Sequence, residues 1–457
     1  MKRVIAIVLL SAAAAVAFGG EPIDGVSYPD RCGAVYDGVT DCADAIQKCL
    51  DLGGTVRFEG CGTARVDRTV HIRRSGTRIV MDRTFTLKLG DGVNAPLLDT
   101  PGAAYNYDDP RVDSERLNGL EIRGGMIDGN AEKQRRGPNY LTPLVKLVDV
   151  DYLRIEDVVF RNPRKLTTIL AGLNHFTIRD IRFHNTFNAL NMDGLAFSGS
   201  VFNGVVENVS GNCRDDMVAF NVSGAYNPAP GSSTPPGDQT RVGPARNVVF
   251  RNLHCEPGCF RAIRMICNDK YPIDDIVIDG VTGDSDAMGG LIGLTNWAEP
   301  AHFGRIHISN VFGRNTGTAY SYFPKPHGTL VWIGNDASRA EMKVDCTVDS
   351  LVLSGVEIDQ SAEHRQSLVT LPKGARIGSL KVSDVTVAGA ADLSDVDFIA
   401  GTPTNGAGEI GTALVRAVTC PTNCAFRAFA GVPIGELSCS DCSLVGARAP
   451  GSGIAGE

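Results

Sequence analysis

The sequence predicts an all-β chain wound as a single-domain parallel β-helix, a solenoid, and three observations predict it. First, Asp151–Asn162 aligns without a gap over Asn174–Asn185, at an offset of 23 residues. Each segment carries an alternating apolar pair (Leu153/Ile155 over Phe176/Ile178), then an interrupting Asp157 or Asp180, then a second apolar pair. Second, the same shape returns at Val248/Phe250/Asn252/Leu253, Ile276/Ile278/Gly280/Val281 and Ile306/Ile308/Asn310/Val311, and again at Leu351/Leu353/Gly355/Val356 and Leu380/Val382/Asp384/Val385. Asn, Asp and Gly tolerate left-handed backbone, so they suit a bend between two short strands. Coils stacked at about 4.8 Å would align their inward side chains as continuous apolar columns. Third, few Asn-Gly and Asp-Gly hairpin signals fall between the repeated strands, which argues against a sandwich or propeller, and no long amphipathic helices separate the strands, which excludes a doubly wound sheet.

Taken in order, the chain opens on a targeting signal. Lys2 and Arg3 precede an apolar run from Val4 to Ala17 that ends in Ala15-Val16-Ala17, a small-residue cleavage site. The run is shorter than the ~20 residues of a membrane span, and no later stretch reaches that length. Residues 1–17 are therefore expected to be a signal peptide, and the protein secreted or periplasmic, with no membrane association once the peptide is removed. One helix follows: Thr40 or Asp41 caps it, Ala45, Ile46, Cys49 and Leu50 form its apolar face, and Gly53-Gly54 stops it. A solenoid needs its open end covered, and this helix, within a cap spanning about 30–60, is placed to cover it. The expected organisation is one β-helix over 18–445 and a tail over 446–457. After residue 390 the repeat fades into Gly/Ala-rich sequence.

Composition narrows the partners. A hydrophobic fraction of 43% excludes a largely disordered chain, and 52 Gly fit a turn-dense fold. The net charge of −8 excludes a nucleic-acid partner, which would need a basic face; a monomer is expected. The 13 cysteines cannot all pair. Cys32, Cys42, Cys49 and Cys61 cluster near the start; Cys420, Cys424, Cys439 and Cys442 have spacings that suggest zinc in a cytosolic chain and disulfides behind a signal peptide.

The chemistry concentrates in one pair of segments. Asn191-Met192-Asp193-Gly194-Leu195-Ala196-Phe197 aligns with Arg214-Asp215-Asp216-Met217-Val218-Ala219-Phe220, again offset by 23 residues. Asp193 and Asp216 should therefore occupy neighbouring coils about 5 Å apart, with Asp215 beside them. Repulsion among three such carboxylates raises the pKa of at least one and creates a proton donor beside carboxylate bases, which is what glycosidic bond cleavage needs. Asp193, Leu195 and Phe197 share parity, as do Asp216, Val218 and Phe220, so a turn or bulge must break the alternation if the aspartates are to face a cleft. No metal or cofactor is expected. Residues 225–246, with Tyr226 and five prolines, interrupt the repeat after this strand and would form a cleft wall. Trp297 could stack on a sugar ring, and Tyr320, Tyr322 and Phe323 beside Lys325 and His327 form a similar loop. His175 and His184 read as surface or turn residues, and Asp157, Asp180, Asn252, Asn310 and Asp384 as stacked turn residues.

Cys32-Gly33-Ala34-Val35-Tyr36-Asp37-Gly38-Val39-Thr40-Asp41, followed by Ala45-Ile46-Gln47 and Gly53–Phe58, resembles the opening of the pectate-lyase-like superfamily of right-handed β-helices. That group includes polygalacturonases, other glycosidases, lyases and phage tailspikes. Asn191-Met192-Asp193-Gly194 is similar to the Asn-Thr-Asp-Gly motif of the polygalacturonase family, and Asp215-Asp216 to its Asp-Asp motif. The resemblance implies a right-handed coil, Asp215 as general acid, Asp193 and Asp216 as bases that activate water, and inversion at the anomeric carbon. Two family motifs are absent: Phe260-Arg261-Ala262 stands in place of Gly-His-Gly, and Leu291-Ile292-Gly293-Leu294 in place of the Arg-Ile-Lys that grips a uronate. The expected function is an exported inverting glycoside hydrolase acting on a glycan, with neutral galactosidic or similar substrates favoured over polygalacturonate and Asn191, Arg261, Arg264 and Trp297 as substrate contacts. Two rivals share the fold: a Ca²⁺-dependent polysaccharide lyase in which Arg261 or Arg264 abstracts a proton, and a non-catalytic carbohydrate-binding solenoid.

Overall fold

The computed structural model describes residues 25–100, 116–134, 142–186, 192–222, 242–285, 290–296, 299–315, 327–335, 345–359, 365–388, 398–401, 406–419 and 431–442. The expected signal peptide, Asn191, most of the 225–246 loop, Trp297, Tyr320, Tyr322, Phe323, Lys325, Cys420 and Cys424 lie outside them. Strands from Val26–Ser27 to Ile434–Cys442 hydrogen-bond coil to coil as one continuous sheet, and the named strand pairs are parallel. The architecture is a parallel β-helix with, among the described residues, one α-helix, Ala43–Leu52, ahead of most of the strands.

Register explains the repeat. Asp151 lies opposite Asn174, Leu153 opposite Phe176, Ile155 opposite Ile178 and Phe160 opposite Phe183, the gap-free alignment of the sequence. Farther along, Val248, Ile276, Ile306, Leu351 and Leu380 each stand in register with the next and are at most 1% exposed. Burying a large apolar side chain completely is worth about 1.5–3 kcal/mol, so each column stabilises the stack coil by coil. Near the middle Phe197, Phe220 and Phe250 meet edge to face, with centroids 5.3 Å (197–220), 5.8 Å (220–250) and 6.3 Å (197–250) apart.

The coil turns where the sequence places Asn, Asp or Gly. Asp157, Asp180, Asn252, Asn310 and Asp384 all have φ between 51° and 56°, and Gly280 and Gly355 are left-handed too. These side chains also bond along the axis: Asn208 Nδ2 donates to Asp180 Oδ1 at 2.9 Å, and Asn252 Nδ2 to Asn208 Oδ1 at 3.1 Å. They are stacked turn residues, as expected. His175 is another (φ 55°), its ring stacked on Tyr152 at 5.0 Å.

The helix buries Ala45, Ile46, Cys49 and Leu50 against the same core as the first coils. Its cap corrects the sequence reading by one residue. Cys42 is the N-cap residue, without a side-chain bond, while Asp41 just outside accepts from the Ala43 amide at 3.0 Å. The Thr40 hydroxyl donates instead to Asp37 Oδ2 at 2.8 Å. Gly53, at φ 77°, ends the helix. None of the described helices is long and apolar enough to cross a membrane.

The bend ladder is open to test. Asn208→Val forces a β-branched residue into left-handed backbone and deletes two axial bonds, so it should cost about 2 kcal/mol in chemical denaturation. Asn208→Gly loses the same two bonds but keeps the backbone, so it should cost about 1 kcal/mol less than Asn208→Val; equal losses would show that backbone handedness does not matter there.

Candidate active site

Asp193 and Asp216 sit in bends just ahead of the strands Leu195–Gly211 and Val218–Asn221. The Gly194 amide donates to Asp216 O at 2.9 Å, and the Met217 amide to Arg261 O at 2.8 Å. Asp193, Asp216 and Arg261 therefore occupy one row on three successive coils. Arg214 enters the bend in left-handed backbone (φ 62°). Gly194 is required by space: a Cβ there would lie 2.5 Å from Met217 O and 2.7 Å from the Phe183 ring.

One oxygen from each of Asp193, Asp215 and Asp216 lies within 4.8 Å of the others. The Asp216 amide ties them together, donating to Asp215 Oδ1 at 3.0 Å and, more weakly, to Asp193 Oδ1 at 3.3 Å. The parity conflict is resolved by burial: Asp193 is 2% exposed, Asp216 is wholly buried, and Asp215 alone is half-buried. Arg261, itself 2% exposed, bonds through Nη1 to Asp216 Oδ1 at 3.1 Å, and Arg264 Nη1 stands 3.5 Å from Asp216 Oδ2. The Arg261 guanidinium also lies 5.1 Å from the Phe260 ring centroid. Stranding an ionised carboxylate in such a place costs several kcal/mol, and a forked, permanently charged partner offsets that cost. Three carboxylates against two guanidinium groups leave one excess negative charge.

Proton affinity follows from this arrangement. Burial pushes the Asp193 carboxyl well above its usual range; the neighbouring Asp215 and Asp216 charges add to that, and Arg264 opposes it. Burial pushes Asp215 up to about 6, with Asp216 adding and Arg264 and Arg261 opposing. The cluster thus holds proton donors beside a carboxylate fixed by two cations, an arrangement that can protonate a leaving group and activate water.

The row beyond the trio was only partly anticipated. Arg264 lies opposite Gly293, which lies opposite Trp332, so the coil after Arg264 carries no cation at that place, as the sequence indicated. The 3%-exposed Trp332 was missed, although Val331-Trp332-Ile333 matches Ile292-Gly293-Leu294. Arg261 and Arg264, read as substrate contacts, are found on Asp216. Three buried thiols directly behind the site, Cys213, Cys255 and Cys259, were also missed. The 11 described cysteines are unpaired; Cys32 and Cys49 place their sulfurs 3.5 Å apart.

Neither a protein-family model nor a curated protein matches the sequence. Solved structures do. Endo-xylogalacturonan hydrolase from Aspergillus tubingensis aligns at 14% identity and TM-score 0.56, covering 89% of this chain and 100% of that one. The hyperthermoactive exopolygalacturonase from Thermotoga maritima aligns at 13% and 0.53, covering 88% and 92%. The pre-mature gene product 12 of bacteriophage phi29 aligns at 13% and 0.53, covering 91% of this chain and 55% of that one. The chain has the right-handed parallel β-helix fold of the pectate-lyase and polygalacturonase type. At such identities the likeness speaks for the fold alone, and the trio carries the chemistry.

Asp215 makes a stability prediction whose sign is fixed. A carboxyl raised in the folded state binds its proton more tightly there than in the unfolded chain. Its contribution is complete below the ordinary value of 3.8 and is lost as pH rises through about 6. Thermal stability should therefore fall across that window, and Asp215→Asn should flatten the fall. An unchanged slope in the variant would place the titrating group elsewhere.

Proposed function

We propose that the protein is a glycoside hydrolase, with Asp215 as the general acid. The observation that carries this reading is the pairing of a half-buried carboxyl pushed up to about 6 with a buried carboxylate, Asp216, held by Arg261 and Arg264. Below about pH 6 Asp215 keeps the proton that a glycosidic oxygen must receive as its bond breaks. Asp216, held by the Arg261 and Arg264 guanidinium groups, is placed to polarise water. Asp193, raised further by burial, becomes a second base only after losing its proton. Inversion rests on the motif resemblance, and the anomer formed first, followed by proton NMR, tests it.

The arginines also bear on substrate and on the lyase alternative. Ca²⁺ takes 6–8 oxygen ligands, and a trio with two guanidinium groups already on one member fits it poorly. Arg261 is buried on Asp216 and Gly293 adds no cation, which supports a neutral hexose in the subsite beside it over a uronate. The apolar run from Val4 to Ala17 supports export, and the two cysteine clusters support disulfides in the mature protein, read here as a monomer.

The test is a glycan panel assayed for new reducing ends, for ultraviolet-absorbing unsaturated ends, and with and without a chelator. Asp215→Asn should lower cleavage by at least about 10²-fold, the lower range for a general acid, with circular dichroism unchanged. Wild-type activity should fall as pH rises through about 6. Unsaturated products that need Ca²⁺ would establish the lyase, and glycan binding without cleavage a binding solenoid. A second expectation concerns charge: initial rates on a neutral galactan should exceed those on polygalacturonate. The reverse order would mean that a cation outside the described residues meets the substrate carboxylate.

A further inference from the structure

Behind the carboxylate row three buried cysteines come together from two coils. Cys213 follows the strand Leu195–Gly211, Cys255 ends the strand Ala245–Cys255, and Cys259 lies in the turn that leads to Arg261. Gly211 and Cys255 are register partners on adjacent strands. The contacts converge on one sulfur: the Cys213 amide donates to Cys259 Sγ at 3.4 Å, and Cys259 Sγ–H donates at 3.0 Å to the carbonyl of Gly211, the register partner of Cys255. Buried thiols often act as small apolar groups. Three that share one central sulfur, two of them beside residues of the catalytic row, can do more.

We propose that Cys259 is the pivot of an oxidisable three-thiol site, forming a disulfide with Cys213 while Cys255 remains a thiol able to exchange with it. The bond with Cys213 is preferred because it ties the bend entering Asp215 to the turn entering Arg261. A Cys255–Cys259 bond would close only a short turn within one coil, and closing a longer loop removes more freedom from the unfolded chain. Cys259 is common to both possible links, so the mixed disulfide is placed on its sulfur; in the closed fold its two neighbours draw its thiol down and burial holds Cys213 up.

The oxidant is a disulfide of the glutathione class. The Cys259 thiolate attacks one of its sulfurs and releases one glutathione thiolate, giving a mixed disulfide. The Cys213 thiolate then attacks Cys259 Sγ and releases the second. Two cysteine thiols lose two electrons and two protons, and one glutathione disulfide becomes two glutathione thiols. Later attack by Cys255 on Cys259 would move the bond and leave Cys213 as the thiol, with no net oxidation. The reaction belongs to the folding chain, before the coils close over the sulfurs.

The test refolds the full chain with oxidised glutathione, blocks remaining thiols with N-ethylmaleimide in denaturant, and maps linked peptides by mass spectrometry. A Cys213–Cys259 link is expected, with Cys255 blocked as a thiol. In C213A the link should move to Cys255–Cys259, and in C259A both should disappear. Wild type should melt higher oxidised than reduced, and C213A should lose most of that difference. Because C259A could fold poorly, the single variants C213A and C255A carry the test alone if circular dichroism shows C259A unfolded. Full blocking of all three cysteines in refolded wild type, or a link that leaves Cys259 free, would overturn the proposal.

Discussion

Everything in this molecule depends on the parallel hydrogen-bond register between successive coils. Once Asp151 is set opposite Asn174, each side chain has a fixed neighbour on the next coil, one strand spacing away. For apolar residues this proximity is favourable, and the columns through Val248 and Ile276 form the core. For Asn it is favourable too, since amide can bond to amide along the axis. For carboxylates it is unfavourable, because like charges are held together where water is excluded. The register that builds the core also forces Asp193 and Asp216 into contact.

The chain answers that repulsion in two ways. It places guanidinium groups on Asp216, one from the next residue in the row and one from the strand that follows. It leaves the remaining charge to a proton, held by Asp193 and Asp215, which burial and their neighbours raise. Arginine suits this position better than lysine: it keeps its charge when buried and spreads it over a planar fork. A histidine in the same row would add a second titrating group, and the cluster would then change charge with pH at two kinds of site. With arginine the titration stays on the carboxyls.

Much of this was legible in the sequence, for a physical reason. An offset of 23 residues repeated in two pairs of segments could only be the coil length, so the Asp193–Asp216 proximity followed from counting. Bend residues were legible because left-handed backbone restricts residue choice to Asn, Asp and Gly. The Arg261–Asp216 bond was harder to read, since 45 residues separate the partners and the irregular 225–246 segment destroys the period between them. Depth was illegible as well: parity placed the aspartates with the core, and the chemistry argued for a cleft. The structure gives two to the interior and leaves only Asp215 half-buried. The helix cap slipped by one residue because Asp41 reaches the Ala43 amide from outside the helix. The thiol cluster had no signature, because its members come from two coils at unequal spacing.

The solenoid separates some of its chemistry from its stability, and the separation is uneven. Asp215 contributes one half-buried carboxyl to a bend, and in the proposed reading its role is chiefly chemical. Asp216 and Arg261 belong to both functions. Each is buried, each offsets the charge of the other, and removing either alone leaves an uncompensated ion in the interior, a loss of about 3–5 kcal/mol. Exchanging Arg261 alone for a neutral residue would leave the buried Asp216 without its closest cation. The pair is therefore coupled in sequence change as in structure: any viable alternative must alter both positions together, and an uncharged pair would leave Asp193 and Asp215 as the only carboxyls. A two-carboxyl site of that kind has a different proton count and calls for different chemistry. The arginine in this row is thus more than a missing histidine; it determines which reactions the aspartates can support.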